Sequence, residues 1–293
     1  MLFRSPISLR VNPDVDALTH AKIATGRAET KFGIDWGQAK AVAAEAARLP
    51  GIALKGVAMH IGSQLTDLGP FRTAFGKLAG LIAELRAIGQ KIERLDLGGG
   101  LGIPYGAPES KTAPDPATYA RAVLEAVGGL DCELVLEPGR VLVGNAGVLV
   151  ARVLYVKEGA RQRFCIVDAA MNDLLRPALY DAYHEIVPVV EAAPGSHVKT
   201  MDVVGPVCET GDVLGLARAL PPLKAGDLIA VRSAGAYGAV MASTYNARPL
   251  IPEVMVKGGA FALVRRRVEI EETLSWETLP DWLKASTLPG MVS

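Results

Sequence analysis

Six short stretches carry residue types that do chemistry. His60-Ile61-Gly62-Ser63-Gln64 follows an apolar, strand-like run. A histidine there serves as a base, as a ring that stacks on an aromatic cofactor, or as a satisfied buried imidazole. Gly98-Gly99-Gly100-Leu101-Gly102 also comes directly after a strand-like run. Clustered glycines let backbone N–H groups converge on an anion such as phosphate. The spacing is not GxGxxG and no helix opens directly behind it, so a tight turn is the other reading. Glu137-Pro138-Gly139-Arg140 puts an acid and a cation at the end of a buried-type strand. A charge there needs a partner. Either the two pair with each other, or the acid faces a cationic ring nitrogen and the arginine a phosphate or carboxylate. Arg176 and Tyr180 stand i,i+4, on one face if helical. Residues 205–212 set Cys208 beside Glu209 in a glycine-bounded loop, and Tyr237 sits between small residues, suited to close approach by a ligand.

The elements that must position these residues alternate in texture. Residues 6–11, 52–61, 92–97 and 133–136 are strand-like. Between them residues 35–49, 71–88 and 117–127 repeat apolar positions at helical spacing, with Asp35 as an N-cap and Gly89 as a C′ residue. This order predicts a parallel sheet with right-handed crossovers. The first three stretches and Asn12-Pro13 then fall at the C-terminal ends of strands, where α/β folds keep their chemistry. After about residue 140 the texture changes: residues 141–156, 163–167, 187–190, 200–204 and 228–231 are β-branched-rich, with a turn expected around 172–180 and a short helix after Glu271. The expectation is two domains, an α/β unit over residues 1–140 and a mostly β unit over 141–293.

The 293 residues are 50% apolar, and 31 Lys and Arg balance 31 Asp and Glu, so the formal net charge is zero. A broad electrostatic grip on nucleic acid or on an anionic membrane is not expected, although one local cationic pocket remains compatible. Three scattered cysteines (Cys132, Cys165, Cys208) form neither a disulfide framework nor a CxxC zinc site, and the reading is a reducing, cytoplasmic setting with no metal. Neither a signal peptide nor an apolar run long enough to cross a membrane is recognised in the sequence.

Taken together, Arg10-Val11-Asn12-Pro13, Lys31-Phe32-Gly33-Ile34, His60–Gln64, Leu97–Gly102, Glu137–Arg140, Arg176–Tyr180, Gly205–Asp212 and Gly235–Gly238 occur in the order seen in the diaminopimelate decarboxylases. That family belongs to the fold-type III, alanine-racemase-like group of pyridoxal-phosphate enzymes, and the resemblance runs from about residue 6 to residue 260. It implies a pyridoxal 5′-phosphate-binding (β/α)8 barrel followed by a mostly β domain, working as a homodimer with shared active sites. It implies decarboxylation of meso-2,6-diaminopimelate to L-lysine, the last step of lysine biosynthesis. By resemblance, His60 stacks on the pyridine ring. Ser63, Gly98, Gly99, Gly100, Pro138, Gly139, Arg140 and Tyr237 hold the cofactor, and Glu137 pairs with its ring nitrogen. Arg140, Arg176, Tyr180 and Tyr237 bind substrate carboxylates, Glu209 binds an amine, and Cys208 returns a proton after carbon dioxide departs. Cys208 and Glu209 come from the neighbouring subunit in that family.

One departure is plain. The family's cofactor-bonding lysine lies in a Tyr-x-x-Lys-Ala-Asn-like stretch, which does not occur here, and Lys22 and Lys31 belong to other motifs. The four strand-like runs correspond to the last four of the barrel, about half of a typical ~250-residue barrel. An incomplete chain is therefore expected. Two other readings stand: a relative acting on ornithine, arginine, lysine or a carboxylated polyamine such as carboxynorspermidine, and a non-catalytic interaction protein.

Overall fold

The computed structural model describes residues 4–17, 26, 31–106 and 112–284. Lys22 lies outside the described residues. Four strands, β1 (Ser5–Arg10), β2 (Ile52–Ala58), β3 (Arg94–Asp96) and β4 (Glu133–Val135), form one sheet in sequence order, every pair parallel. The register aligns their ends. Arg10 faces Ala58, Ala58 faces Asp96, and Asp96 faces Val135. Residues 59–64, 97–102 and 136–140 therefore leave the sheet at one common edge, the C-terminal one.

The crossovers are α1 (Ala39–Arg48), α2 (Gly69–Ala87) and α3 (Pro116–Val127). Asp35 caps a 3-10 turn (Trp36–Gln38) that leads into α1, accepting from the Gly37 N–H at 2.9 Å. The helix boundaries follow from local chemistry. Asp115 caps α3 by accepting from the Thr118 N–H at 2.9 Å, with Pro116 in the first turn where its missing N–H does no harm. Gly89, at φ +87°, turns the chain out of α2. The buried face of α2 is Phe71, Ala74, Phe75, Leu78, Leu81, Ile82 and Leu85, the i, i+3, i+4 spacing of a single apolar stripe. Phe71 packs edge-on against Tyr119 of α3, with ring centroids 5.1 Å apart. Arg86, at the end of α2, donates to the carbonyls of Ile92, Leu130 and Asp131, which ties the helix to the segments entering β3 and β4.

The second layer is a six-stranded sheet ordered β7-β10-β5-β6-β8-β9: β5 (Leu149–Glu158), β6 (Arg163–Val167), β7 (Ile186–Pro188), β8 (Lys199–Val204), β9 (Val213–Leu220) and β10 (Leu228–Val231). Only β6 and β8 pair in parallel among its neighbours. Pro188 falls on the edge strand β7, where no ladder N–H is missed. A separate core forms on this sheet from Val153, Cys165, Val167, Leu174, Val203, Leu214 and Ile229.

The structure corrects the sequence in three places. Residues 141–143 are not strand: α4 (Arg140–Val143) and a 3-10 turn (Gly144–Ala146) precede β5, and Val141 packs on the first core. The cause is Arg140, whose buried side chain anchors this turn. Residues 172–180 carry a short helix, α5 (Arg176–Tyr180). Strand β9 and a hairpin, β11 (Glu253–Lys257) with β12 (Ala260–Arg265), escaped notice because β9 holds a single β-branched residue, Val213, and the hairpin is largely exposed on both faces. Two short helices, α6 (Ile270–Leu274) and α7 (Asp281–Lys284), end the described chain.

Candidate active site

Three segments leaving the common sheet edge pack together without room for side chains between them. A Cβ on Gly98 would overlap the Met59 carbonyl, one on Gly99 the Glu137 carbonyl, and one on Gly100 the Gly62 carbonyl. Gly100 also holds φ +104°, which L residues rarely adopt. The glycines thus let the His60 loop and the Glu137 loop close on the end of β3. Their N–H groups are partly committed. Gly98 donates to Asp96 Oδ1 at 2.8 Å, and Gly99 donates to His60 Nδ1 at 3.2 Å. An accepting Nδ1 leaves the proton of the neutral ring on Nε2. Burial, and secondarily the charge of Arg10, lower the His60 pKa, while Asp96 opposes them. Burial and the Arg10 charge both favour the neutral ring.

Gln64 holds φ +63° and clasps residue 103 twice: its Nε2 donates to the Ile103 carbonyl at 2.6 Å, and its Oε1 accepts from the Ile103 N–H at 3.2 Å. This clasp fixes Ser63, whose Oγ accepts from Arg140 Nη2 at 3.1 Å. Arg140 is only 7% exposed. Its Nη1 donates to the Tyr105 hydroxyl, and its guanidinium lies over the rings of Tyr105 and Tyr237, at 5.7 and 4.6 Å. Its Nε is buried without a hydrogen-bond partner. Glu137 does not pair with it. The Glu137 carboxylate is exposed and makes no ion pair among the described residues, and the neighbouring Pro138 and Gly139 are exposed as well.

Arg176, in α5, is 5% exposed. Its guanidinium lies 4.5 Å from the Tyr105 ring centroid and donates from Nη1 to His184 Nε2 at 2.8 Å. Burial is the main reason its pKa is lowered, followed by the opposed effects of Tyr105 and of the Arg140 charge. Tyr180, four residues on, shares the helix and adds a further favourable field. Tyr237 reaches Arg140 from a strained turn, φ +58°, held in place because Gly235 lies against Gly147 and the Val143 carbonyl with no space for a Cβ.

Cys208 and Glu209 belong to a different neighbourhood. Both are exposed in the loop joining β8 to β9. Asp212 fixes the loop, accepting from Val207 N–H and from Met171 N–H, each at 2.7 Å. Tyr245 donates to Glu209 Oε2 at 2.6 Å, and this bond is the first reason its phenol pKa is raised. His60, Ser63, Gly98 to Gly100, Arg140, Arg176 and Tyr237 are thus one connected group, and Cys208 with Glu209 another.

Sequence reasoning passed over Tyr105, His184 and Tyr245. Tyr105 was legible as the aromatic of Pro104-Tyr105-Gly106, in a loop following the glycine turn. His184 had only its position shortly after Arg176 and Tyr180 to mark it, and Tyr245 nothing local.

Two buried guanidiniums that share one tyrosine and have no ion-pairing carboxylate among the described residues can receive an anion. A neutral histidine, a glycine turn and an exposed acid surround it. No group of metal-ligating side chains occurs among the described residues, and no described helix is long and apolar enough to cross a membrane. Residues 2–144 match the family model of the pyridoxal-dependent decarboxylases, pyridoxal binding domain. Diaminopimelate decarboxylase of Zymomonas mobilis is 48% identical over 280 residues, covering 96% of this chain and 66% of its own length. That of Pseudomonas aeruginosa is 51% identical over 278 residues, covering 94% and 65%. The chain thus spans just under two thirds of the length of these curated relatives. The crystal structure of diaminopimelate decarboxylase from Helicobacter pylori, complexed with L-lysine, superposes with a TM-score of 0.87 at 39% identity, over 94% of this chain and 67% of that one. These identities and this superposition make the chain a member of the diaminopimelate decarboxylase family.

Proposed function

We propose that the chain supplies the anion-binding and substrate-binding half of a pyridoxal 5′-phosphate-dependent decarboxylase acting on meso-2,6-diaminopimelate to give L-lysine. The observation that carries this is the pair Arg140 and Arg176, buried about Tyr105 with no carboxylate among the described residues to neutralise them. Buried charge without a counterion is expensive and persists where a ligand supplies the opposite charge. The residues fit pyridoxal phosphate: Arg140 Nε is buried and unpartnered, Arg140 Nη2 donates to Ser63 Oγ, and the close packing of the glycine turn brings the His60 and Glu137 loops to the same edge.

Ser63, Gly100, Gly139, Arg140 and Tyr237 would hold the phosphate, and His60 would lie against the ring. Pyridoxal phosphate, when bound, supplies an electron sink that makes loss of carbon dioxide feasible. Glu137 would accept a hydrogen bond from the protonated ring nitrogen and so keep that nitrogen cationic. Arg176 and Tyr180 would orient a substrate carboxylate, and Glu209 would hold an amine. Cys208 would hand a proton to the substrate carbon. Exposure of Cys208 and Glu209 on their own loop supports a role across a homodimer interface, each loop completing the neighbouring subunit's site. The three free cysteines suit a reducing, cytoplasmic setting. We place the boundary between the cofactor-binding and β units near residue 140. A non-catalytic reading is favoured by one observation, the lack of a Tyr-x-x-Lys-Ala-Asn-like stretch in these 293 residues.

Titration of the chain with pyridoxal phosphate, followed by absorbance and with inorganic phosphate as competitor, tests the proposal. Binding that phosphate displaces, and that Arg140→Met weakens at least about tenfold, equivalent to ~1.4 kcal/mol, is expected. Undiminished binding by Arg140→Met overturns it.

A further inference from the structure

His184 is the most deeply buried titratable side chain at this site, with no exposed surface. Its Nδ1 lies 2.8 Å from the Arg232 carbonyl oxygen, and its Nε2 lies 2.8 Å from Arg176 Nη1. A carbonyl only accepts and a guanidinium only donates, so the ring must be neutral and carry its proton on Nδ1. The Tyr105 ring stands edge-on to it at 5.0 Å, closing the same group from the other side. Burial, and the nearby charges of Arg176, Arg218 and Arg140, push the imidazole pKa down to about 4.

We infer that His184 is the positioning residue that aims Arg176 at an anion while leaving the guanidinium charge unspent. This deepens the proposed function and rests on Arg176 being the carboxylate receptor. The argument is one of chemical type. A buried arginine needs an acceptor to fix its side chain. A carboxylate in that place would fix it more strongly, but would also neutralise it and compete with the incoming ligand. A neutral imidazole accepts one of five guanidinium protons and brings no charge. Its other nitrogen is satisfied by a backbone carbonyl, which locks both ring orientation and tautomer. Removing His184 therefore loosens Arg176, and replacing it by an acid neutralises Arg176.

Two readouts on the 293-residue chain test this. In nitrogen NMR of histidine-labelled protein, His184 is expected as the Nδ1-protonated tautomer from pH 8 down to about pH 5. An Nε2-protonated or charged ring at neutral pH overturns the inference. In calorimetry with meso-diaminopimelate, His184→Gln, whose amide oxygen still accepts from Arg176, is expected to bind within about threefold of wild type. His184→Leu should lose about tenfold and His184→Glu more than that, where tenfold corresponds to ~1.4 kcal/mol. Binding by His184→Glu equal to wild type overturns the positioning role even if Arg176→Ala binds weakly. Should Arg176→Ala bind like wild type, Arg176 is not the receptor and both readings fall, whatever the tautomer. Failure of the wild-type chain to bind counts against both in the same way.

Discussion

Gly99→Ala isolates the close packing that builds the site. Gly99 does not hold a left-handed φ, so its replacement introduces no backbone strain, and the whole effect comes from the added methyl. That methyl would overlap the Glu137 carbonyl. Glu137 cannot yield freely, because its N–H donates to the Gly98 carbonyl at 2.8 Å and Arg140 is anchored three residues on. Forcing one methyl into such a place costs about 1–3 kcal/mol. Gly80→Ala, on the exposed face of α2 with open space around it, provides the opposite sign: about 0.5–1 kcal/mol of stabilisation from helix propensity. Urea denaturation followed by circular dichroism reads both. The two variants should move to opposite sides of wild type, and Gly99→Ala should weaken pyridoxal phosphate binding as well. A Gly99→Ala chain as stable as wild type would mean that the three segments are not packed backbone to backbone.

Stability should fall as pH drops from about 6.5 towards 4. The unfolded chain protonates His184 near 6.5, whereas the folded chain resists until about 4, so protons favour the unfolded state throughout that window, by up to ~3 kcal/mol. Burial lowers the His184 pKa most, the hydrogen bond to the Arg232 carbonyl opposes that, and the charges of Arg176, Arg218 and Arg140 add to the lowering. The His184→Gln denaturation midpoint should be flatter across this range, with the His60 contribution left; an unchanged slope would refute the assignment. Cys208→Ala should leave the melting curve in place, since the thiol is exposed, and in a complemented, active assembly should lower turnover far more than cofactor affinity. Equal loss of both would misplace the thiol. The hairpin β11–β12 exposes Val254, Val256, Phe261 and Leu263 on one face through its cross-strand pairs, an apolar strip that association would cover. Sedimentation velocity should show concentration-dependent association, and a single monomeric species at all concentrations would count against it.

The parallel sheet was legible because each strand is a short apolar run followed by a glycine or polar turn, with a helix of single-stripe periodicity in between. Residues 52–58 and α2 are the clearest cases. The shared edge was legible too, since parallel strands in register bring every C-terminal loop to one side. Arg140 was visible as a charge ending a strand, but not its pairing: sequence left it beside Glu137, whereas in three dimensions it turns to Tyr105 and Ser63. His184 was invisible for a physical reason. Its partners, Arg176 and the Arg232 carbonyl, are brought together by the β7–β10 pairing, which no local periodicity encodes. The hairpin after residue 253 was missed because both of its faces are largely exposed, which leaves no alternation to read.

The central claim is that these residues form the anion-binding half of a decarboxylase whose covalent lysine lies elsewhere. The most direct test measures carbon dioxide released from carboxyl-labelled meso-diaminopimelate with excess pyridoxal phosphate. The chain is assayed alone, and again with a segment that carries the Tyr-x-x-Lys-Ala-Asn-like stretch of a relative. Release in the complemented sample and none above background from the chain alone is the expected result. Substantial release by the purified chain, with borohydride trapping the cofactor on one of its own lysines, would contradict the account.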